Sequence, residues 1–395
     1  FLKNNINILF RIYKKITNKE YKQDLISIVF IQTFPSGWNS VKPIFDKLIL
    51  NEKFIVKVLV VPSNRDIYDK KKIDLIYNQY FKKIDNKYLI KSFDNQTNEW
   101  FNLKDLRPTY VFYNRPYDQE LVNKNYRSNI VSSYSKICFL HYGYSLSNDY
   151  SNYWRNGSFI YNTSIIFAEN LSKYIEYNNA LRLQLFFNLT KIYNFGYPRF
   201  ELLNKSTKTN YLNKNFTILW TPRWSFDDNS IDKSSFLRYN NVFYDFFKKN
   251  VNINFICRPH PLMFKSLLES NILSKEELDK YVFYITKSVN MSIDDDPDYI
   301  NTIEKADLII TDYTAMIADF YHSGKQIIYL GRDNHFNNEA KEMSSSFHYA
   351  SDMDSIIKLI NNIRLNKHSS KPKKHTNIDN NTTNKIINIL SNEKV

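Results

Sequence analysis

The chain has 395 residues, 54 Lys+Arg against 40 Asp+Glu, a formal net charge of +14 and only 6 glycines, where average usage near 7% would give roughly 28. So few glycines leave no G-x-G-x-x-G and no G-x-x-x-x-G-K-[ST], which excludes a Walker loop and the dinucleotide fingerprint. A hydrophobic fraction of 43% and an aromatic fraction of 16% exclude a disordered chain, and no apolar run reaches the roughly 18 residues of a spanning helix.

At about 150 residues per domain, the length predicts two domains and a tail. The division expected is a helix over 1–24, domains over 25–200 and 201–365, and a basic tail over 366–395. The positive charge favours acidic partners. Cys138 and Cys257 each lie inside an apolar run, as reduced buried thiols of a cytoplasmic protein do.

In chain order, residues 1–20 place Leu2, Ile6, Leu9, Tyr13 and Ile16 at helical spacing, with Lys3, Arg11, Lys14, Lys15 and Lys19 elsewhere. That predicts an amphipathic helix, lying on a membrane or packed on the protein body. Near-continuous apolar runs follow at 26–34 (ISIVFIQTF), 54–62, 110–113, 137–141, 164–168 and 192–195. They read as strands buried on both faces. Helical patterns at 41–50 and 75–84 lie between some of them.

The pattern restarts after a polar boundary at 196–214. Strands are expected at 216–220, 253–257, 282–285, 307–310 and 326–330, with helices at 242–249, 275–281, 315–322 and 352–364. A Lys-, Asn- and Thr-rich segment over 366–384 reads as flexible, with a last short helix at 383–390. This alternation predicts two parallel α/β domains of Rossmann type facing across a cleft.

Ligands of open α/β sheets bind outside the carboxyl ends of the strands, so the residues after each strand carry the functional reading. In the first half these are Pro35-Ser36-Gly37-Trp38, His141-Tyr142-Gly143-Tyr144 and Gly196-Tyr197-Pro198-Arg199. In the second they are Thr221-Pro222-Arg223-Trp224, Arg258-Pro259-His260-Pro261 and Thr311-Asp312-Tyr313-Thr314.

The last motif offers two hydroxyls and a helix start to a phosphate. The plainer alternative is N-capping by Asp312 or Thr314. Two prolines fix the backbone around Arg258 and His260, which suits a cationic phosphate site or a loop held by an ion pair. His141 is a candidate general base or a hydrogen-bonded loop histidine. Asp294-Asp295-Asp296 is better explained as the acidic start of a helix than as a metal site. No cofactor and no metal are expected, and the tail lacks the aromatics that nucleic-acid binding calls for.

Taken together, these motifs resemble the glycerophosphotransferase family that uses CDP-glycerol to build teichoic acid and related capsule polymers. The matching pieces are Gly196-Tyr197-Pro198-Arg199, Arg258-Pro259-His260-Pro261 and the run from Ala306-Asp307 through Thr311-Asp312-Tyr313-Thr314 to Asp319-Phe320, over roughly residues 130–340. The resemblance implies a GT-B-like fold and transfer of a polyol phosphate from a CDP-activated donor to an acceptor hydroxyl, with release of CMP.

By that resemblance His141 matches the acceptor-side base, where this chain reads L-H-Y-G-Y against the family's W-H-G-T. His260 matches the histidine placed against the donor phosphates, and Thr311 and Thr314 match the hydroxyls at the pyrophosphate-binding helix. Arg223, Arg258 and Asp312 complete the expected donor side, and Gly37, Trp38, Gly143 and Arg199 the acceptor side. The partners expected are a nucleotide-diphosphate donor, CDP-linked, a glycan or polyol-phosphate polymer acceptor on a lipid carrier, and an anionic membrane surface. The expected place is the inner face of the cell membrane. Two other readings remain, a GT-B glycosyltransferase using a nucleotide sugar, and a non-catalytic protein that binds polyanions or membranes.

Overall fold

A computed structural model describes residues 11–13, 25–62, 74, 77–80, 82, 84–148, 158–203, 215–227, 233–365 and 381–392. The chain forms two compact units. The first comprises Phe1–Ser145, Asp149–Arg199 and Asp379–Val395, the second Leu146–Asn148 and Phe200–Ile378.

The first unit is built on seven parallel strands: β1 (Ile26–Gln32), β2 (Phe54–Val60), β3 (Leu89–Lys91), β4 (Tyr110–Tyr113), β5 (Lys136–Leu140), β6 (Ile165–Phe167) and β7 (Lys191–Tyr193). Their order is β3-β2-β1-β4-β5-β6-β7, so the topology reverses between β1 and β4. Ile28, Val29, Phe30 and Tyr110 to Phe112 are all 0% exposed, which explains why these strands read as unbroken apolar runs. Helix α1 (Lys42–Leu48) covers one face with Ile44, Phe45 and Leu48. Helices α2 (Leu171–Ala180) and α3 (Arg182–Phe186) follow β6.

The second unit has six parallel strands: β8 (Phe216–Thr221), β9 (Ile253–Cys257), β10 (Met291–Ile293), β11 (Leu308–Thr311), β12 (Gln326–Tyr329) and β13 (His348–Tyr349). Their order is β10-β9-β8-β11-β12-β13, which reverses between β8 and β11. Its long helices are α4 (Phe236–Lys249), α5 (Lys275–Lys287) and α7 (Met353–Leu365); α6 (Ile317–His322) is short. The core stacks Trp220 on Phe236 at 5.8 Å and Phe247 on Phe255 at 4.2 Å.

One strand expectation fails. Residues 282–285 are not a strand but the last turns of α5. A capping box at its start, with Ser274 and Glu277 bonded reciprocally, satisfies two otherwise orphaned donors and commits the segment to a helix. Only Ile285 of the four is buried, while Phe283 and Tyr284 face out. The strand of this repeat comes later, at β10. The short strands β3, β10 and β13 have two or three residues each, too few for a periodic signal.

The final helix α8 (Thr382–Asn392) packs on α1 in the first unit, burying Thr382, Thr383, Ile386 and Leu390. Most of the expected 1–24 helix, part of that at 75–84, and the segment 366–380 lie outside the described residues. Arg11, which is described, is half-buried and donates to the carbonyls of Tyr161, Thr163 and Leu189. That burial lowers its pKa to about 10.

Candidate functional site

In the first unit the candidate side chains stand at the carboxyl ends of β1, β4 and β5. His141 follows β5. Its Nδ1 lies 2.7 Å from the Gly143 carbonyl oxygen and 3.2 Å from the Gly143 nitrogen. The shorter contact requires a proton, so we assign it to Nδ1, which leaves the lone pair on Nε2. Burial, with the charges of Lys173, Arg115 and Arg199, outweighs the Gly143 hydrogen bond and lowers the His141 pKa to about 4. His141 is therefore a neutral acceptor ringed by cations.

The Gly196-Tyr197-Pro198-Arg199 motif holds this loop from behind. The Tyr197 hydroxyl donates to the His141 carbonyl at 3.0 Å, and Arg199 Nη1 to the Tyr142 carbonyl at 3.2 Å. Arg199 is 3% exposed, so it positions the loop from inside rather than lining an open surface. Gly196 has φ of +93° and only 3.0 Å between a would-be Cβ and Thr382 Oγ1, so a side chain there is both strained and crowded.

Trp38 requires correction. It was expected on the acceptor side, but it is 1% exposed and edge-on to Phe30, Phe45 and Tyr80. The turn Pro35–Ser40 folds it under β1 as core. Gly37 is needed for packing: a Cβ would come 2.5 Å from the Phe34 ring. Asn114, after β4, donates to the Gly37 carbonyl and to Gln32 Oε1, both at 3.0 Å. Gly143 is buried and meets His141 through its backbone.

Two cations near His141 were missed by the sequence reading. Arg115 sits two residues past β4, 2.5 Å from Glu120 and 4.8 Å from the Phe34 ring centroid. Lys173 lies in the first turn of α2 and pairs with Glu176 at 2.6 Å. The signal for Arg115 was present, since Asn114-Arg115 follows a strand as the other motifs do. Nothing local marks Lys173.

In the second unit the carboxyl ends of β8, β9 and β11 meet at the switch point. Arg258 donates to Asp294 Oδ2 at 2.6 Å and to the Asp296 carbonyl at 2.8 Å. Asp294 also accepts from Thr302 at 2.6 Å. The Arg258 guanidinium is thus held in an ion pair that fixes the loop, in place of the expected phosphate contact. Among the described residues, no group of three His, Cys, Asp or Glu is placed to hold a metal ion.

Thr311 and Asp312 also face inward. The Thr221 hydroxyl donates to Thr311 Oγ1 at 2.6 Å, and Thr311 donates to the Asp312 carbonyl at 2.7 Å. Thr311 is 0% exposed. Asp312, 1% exposed, accepts the backbone N–H of Arg223 and of Ser235, each at 2.9 Å. Burial raises its pKa against those bonds. A buried carboxylate facing the protein's own N–H groups repels phosphate, so Asp312 clamps two loops rather than contacting a donor.

Arg223, His260 and Thr314 are left at this edge. Arg223 is half-buried, donates to the Tyr313 carbonyl at 3.2 Å and lies 5.2 Å from the Tyr313 ring centroid. His260 Nδ1 accepts the Leu262 N–H at 3.1 Å, which places its proton on Nε2. Burial, and then the Arg223 charge, lower its pKa to about 4. His260 is therefore a neutral donor, the opposite tautomer to His141. Thr314 Oγ1 accepts the Met316 N–H at 3.3 Å. This leaves its O–H proton for a ligand. Trp224, 38% exposed, adds an aromatic face 6.2 Å from the His260 ring.

No protein-family model matches the sequence, and no curated protein does. Solved structures do. The wall teichoic acid polymerase TagF matches at a TM-score of 0.59 and 13% identity, over 99% of this chain and 97% of that one. The UDP-GlcNAc 2-epimerase of Neisseria meningitidis, bound to UDP-GlcNAc, matches at 0.57 and 14%, over 93% and 100%. The UDP-GlcNAc 2-epimerase of Methanocaldococcus jannaschii matches at 0.55 and 17%, over 93% and 99%. The chain therefore has the GT-B-like α/β fold of these enzymes.

Proposed function

We propose that this chain is a transferase that moves a polyol phosphate, of the glycerol phosphate class, from a CDP-activated donor to a hydroxyl of a teichoic-acid-like or glycan acceptor. The acceptor is carried on lipid, and the enzyme works against an anionic membrane. The observation that carries the reading is a pair of strand-end histidines each held at Nδ1 by backbone two residues on, Gly143 for His141 and Leu262 for His260, to which we assign opposite tautomers, His141 presenting a lone pair and His260 an N–H. The likeness to the teichoic acid polymerase along 99% of the chain supports it.

In this mechanism His141 Nε2 takes the acceptor proton as the hydroxyl oxygen attacks the distal phosphorus of the donor. The new O–P bond forms as the bond to CMP breaks. Arg223, His260 Nε2–H and the Thr314 hydroxyl donate to the phosphate oxygens that gain charge, a stabilisation that needs no proton transfer. Tyr197 and Arg199 act through the His141 loop as positioning residues.

The test is release of free CMP from CDP-glycerol in the presence of a glycerol-phosphate-primed lipid acceptor. The expected result is CMP release that falls about 100-fold or more in His141→Asn, the range for loss of a general base. A chain that instead releases UDP from UDP-GlcNAc with the same acceptor, and no CMP, is a sugar transferase. The fold shared with UDP-GlcNAc-bound enzymes makes this the second reading to assay.

A further inference from the structure

The second unit carries a surface that the transfer chemistry does not use. Helices α4 and α5 lie side by side, with Tyr244 stacked on Tyr284 at 5.6 Å. Phe283 and Tyr284 are 55% and 42% exposed. Asn290 donates to the carbonyls of Phe247, Asn250 and Ile253 at 3.0, 3.3 and 2.7 Å. These bonds tie the turn after α5 to the turn after α4. Val289 and Val251, 90% and 57% exposed, project from those joined turns. These apolar side chains thus share the carboxyl-terminal end of the paired helices.

Lysines frame it. Lys248 Nζ is 5.5 Å from the Tyr244 ring centroid, Lys280 5.9 Å from Tyr284 and Lys287 5.9 Å from Phe283; Lys249 is exposed beside them. Asp245 is the acid on this stretch of α4. The acids of α5 cluster in its first turns, where Asp279 pairs with Lys275 at 2.6 Å. The face lies at the amino ends of β9 and β10, the opposite end of these strands from Arg258 and His260.

We propose that this face docks on the headgroup region of an anionic phospholipid bilayer. Exposed apolar side chains alone would fit many partners. Aromatic rings crossed by lysine stems, with several ammonium groups around them, match a layer that is acidic outside and apolar beneath. The inference rests on the membrane partner of the reading above and not on the transfer step, so vesicle binding is measured without a donor.

The full chain is sedimented with vesicles of phosphatidylcholine alone and of equal parts phosphatidylcholine and phosphatidylglycerol. Binding is expected only to the second. The triple variant Lys248→Glu, Lys280→Glu, Lys287→Glu should weaken it at least roughly 100-fold, at about fivefold per lost lysine charge with the added carboxylates repelling the layer besides. A control triple on the first unit, Lys82→Glu, Lys104→Glu, Lys124→Glu, should weaken it far less. Equal losses in both triples, or no loss in the first, overturn the proposal. Val289→Cys carrying an environment-sensitive dye reports insertion directly, because Cys138 and Cys257 are buried. A blue shift with anionic vesicles supports docking. No shift, or the same shift with soluble polyglutamate alone, overturns it in favour of a different partner. Loss of CMP release with a soluble acceptor belongs to the transfer reading and leaves the docking result intact.

Discussion

Replacing Asp312 with alanine removes the acceptor of two backbone N–H groups. In the native fold Arg223 N and Ser235 N each lie 2.9 Å from Asp312 Oδ2, and the carboxyl is 1% exposed. An orphaned buried donor costs about 1–3 kcal/mol. Because Arg223 is only half-buried, water can reach part of the gap. We therefore expect Asp312→Ala to destabilise the second unit by about 2–4 kcal/mol, the lower part of the range for two donors. Asp312→Asn keeps a carbonyl oxygen for both donors and loses only their charge assistance, an expected cost of about 1–2 kcal/mol. At about 2–4 °C per kcal/mol for a unit of this size, the alanine variant should melt roughly 4–16 °C lower. Hydrogen exchange of the peptide spanning 216–236 should rise in the same order, wild type, Asn, Ala. An alanine variant within about 1 kcal/mol of wild type, or an asparagine variant less stable than alanine, would refute the clamp.

Other consequences follow from the same geometry. Tyr197→Phe removes the hydroxyl that holds the His141 carbonyl, worth about 1 kcal/mol. It should lower kcat several-fold, leave the KM for donor unchanged and leave the second unit's melting unchanged. His141 and His260 have pKa values lowered to about 4 from 6.5, so the unfolded chain binds more protons in that interval. Stability should be full above 6.5 and fall as pH drops toward 4, a slope that melting curves of His141→Asn and His260→Asn should reduce. Removing Arg258 alone strands Asp294, whose side chain is 15% exposed. The expected cost is about 2–4 kcal/mol, with recovery in Arg258→Ala/Asp294→Ala and little change in donor KM, read in a melting double-mutant cycle. Gly196→Ala, at φ of +93°, should cost about 1–3 kcal/mol, seen as earlier exchange in 382–392.

Much of this protein is written locally. The apolar runs at β1, β4, β8 and β9 announce strands buried on both faces, because a residue inside a parallel sheet meets core on either side. The residues after those runs mark the carboxyl edges of the sheets, so His141, Arg223 and His260 are legible as candidates from their positions in the sequence. The capping box at Ser274 is equally legible, and it outweighs the apolar run 282–285 because it fixes backbone donors rather than surface preference. Tertiary structure alone decides how each candidate is used. Only the pairing of β8 with β11 brings Asp312 under Arg223 and Thr221 onto Thr311, so two residues that read as phosphate contacts become internal supports. Trp38 and Arg258 change role for the same reason: their partners Phe30 and Asp294 are set by folding, not by sequence neighbours. The tautomers assigned to His141 and His260 depend on backbone contacts two residues away, formed only once each loop has its final shape. Sequence names the side chains that stand at the strand ends, because burial and spacing are local properties. Which of them still has a proton, a lone pair or a charge to offer a ligand is settled by long-range contacts that no local pattern encodes.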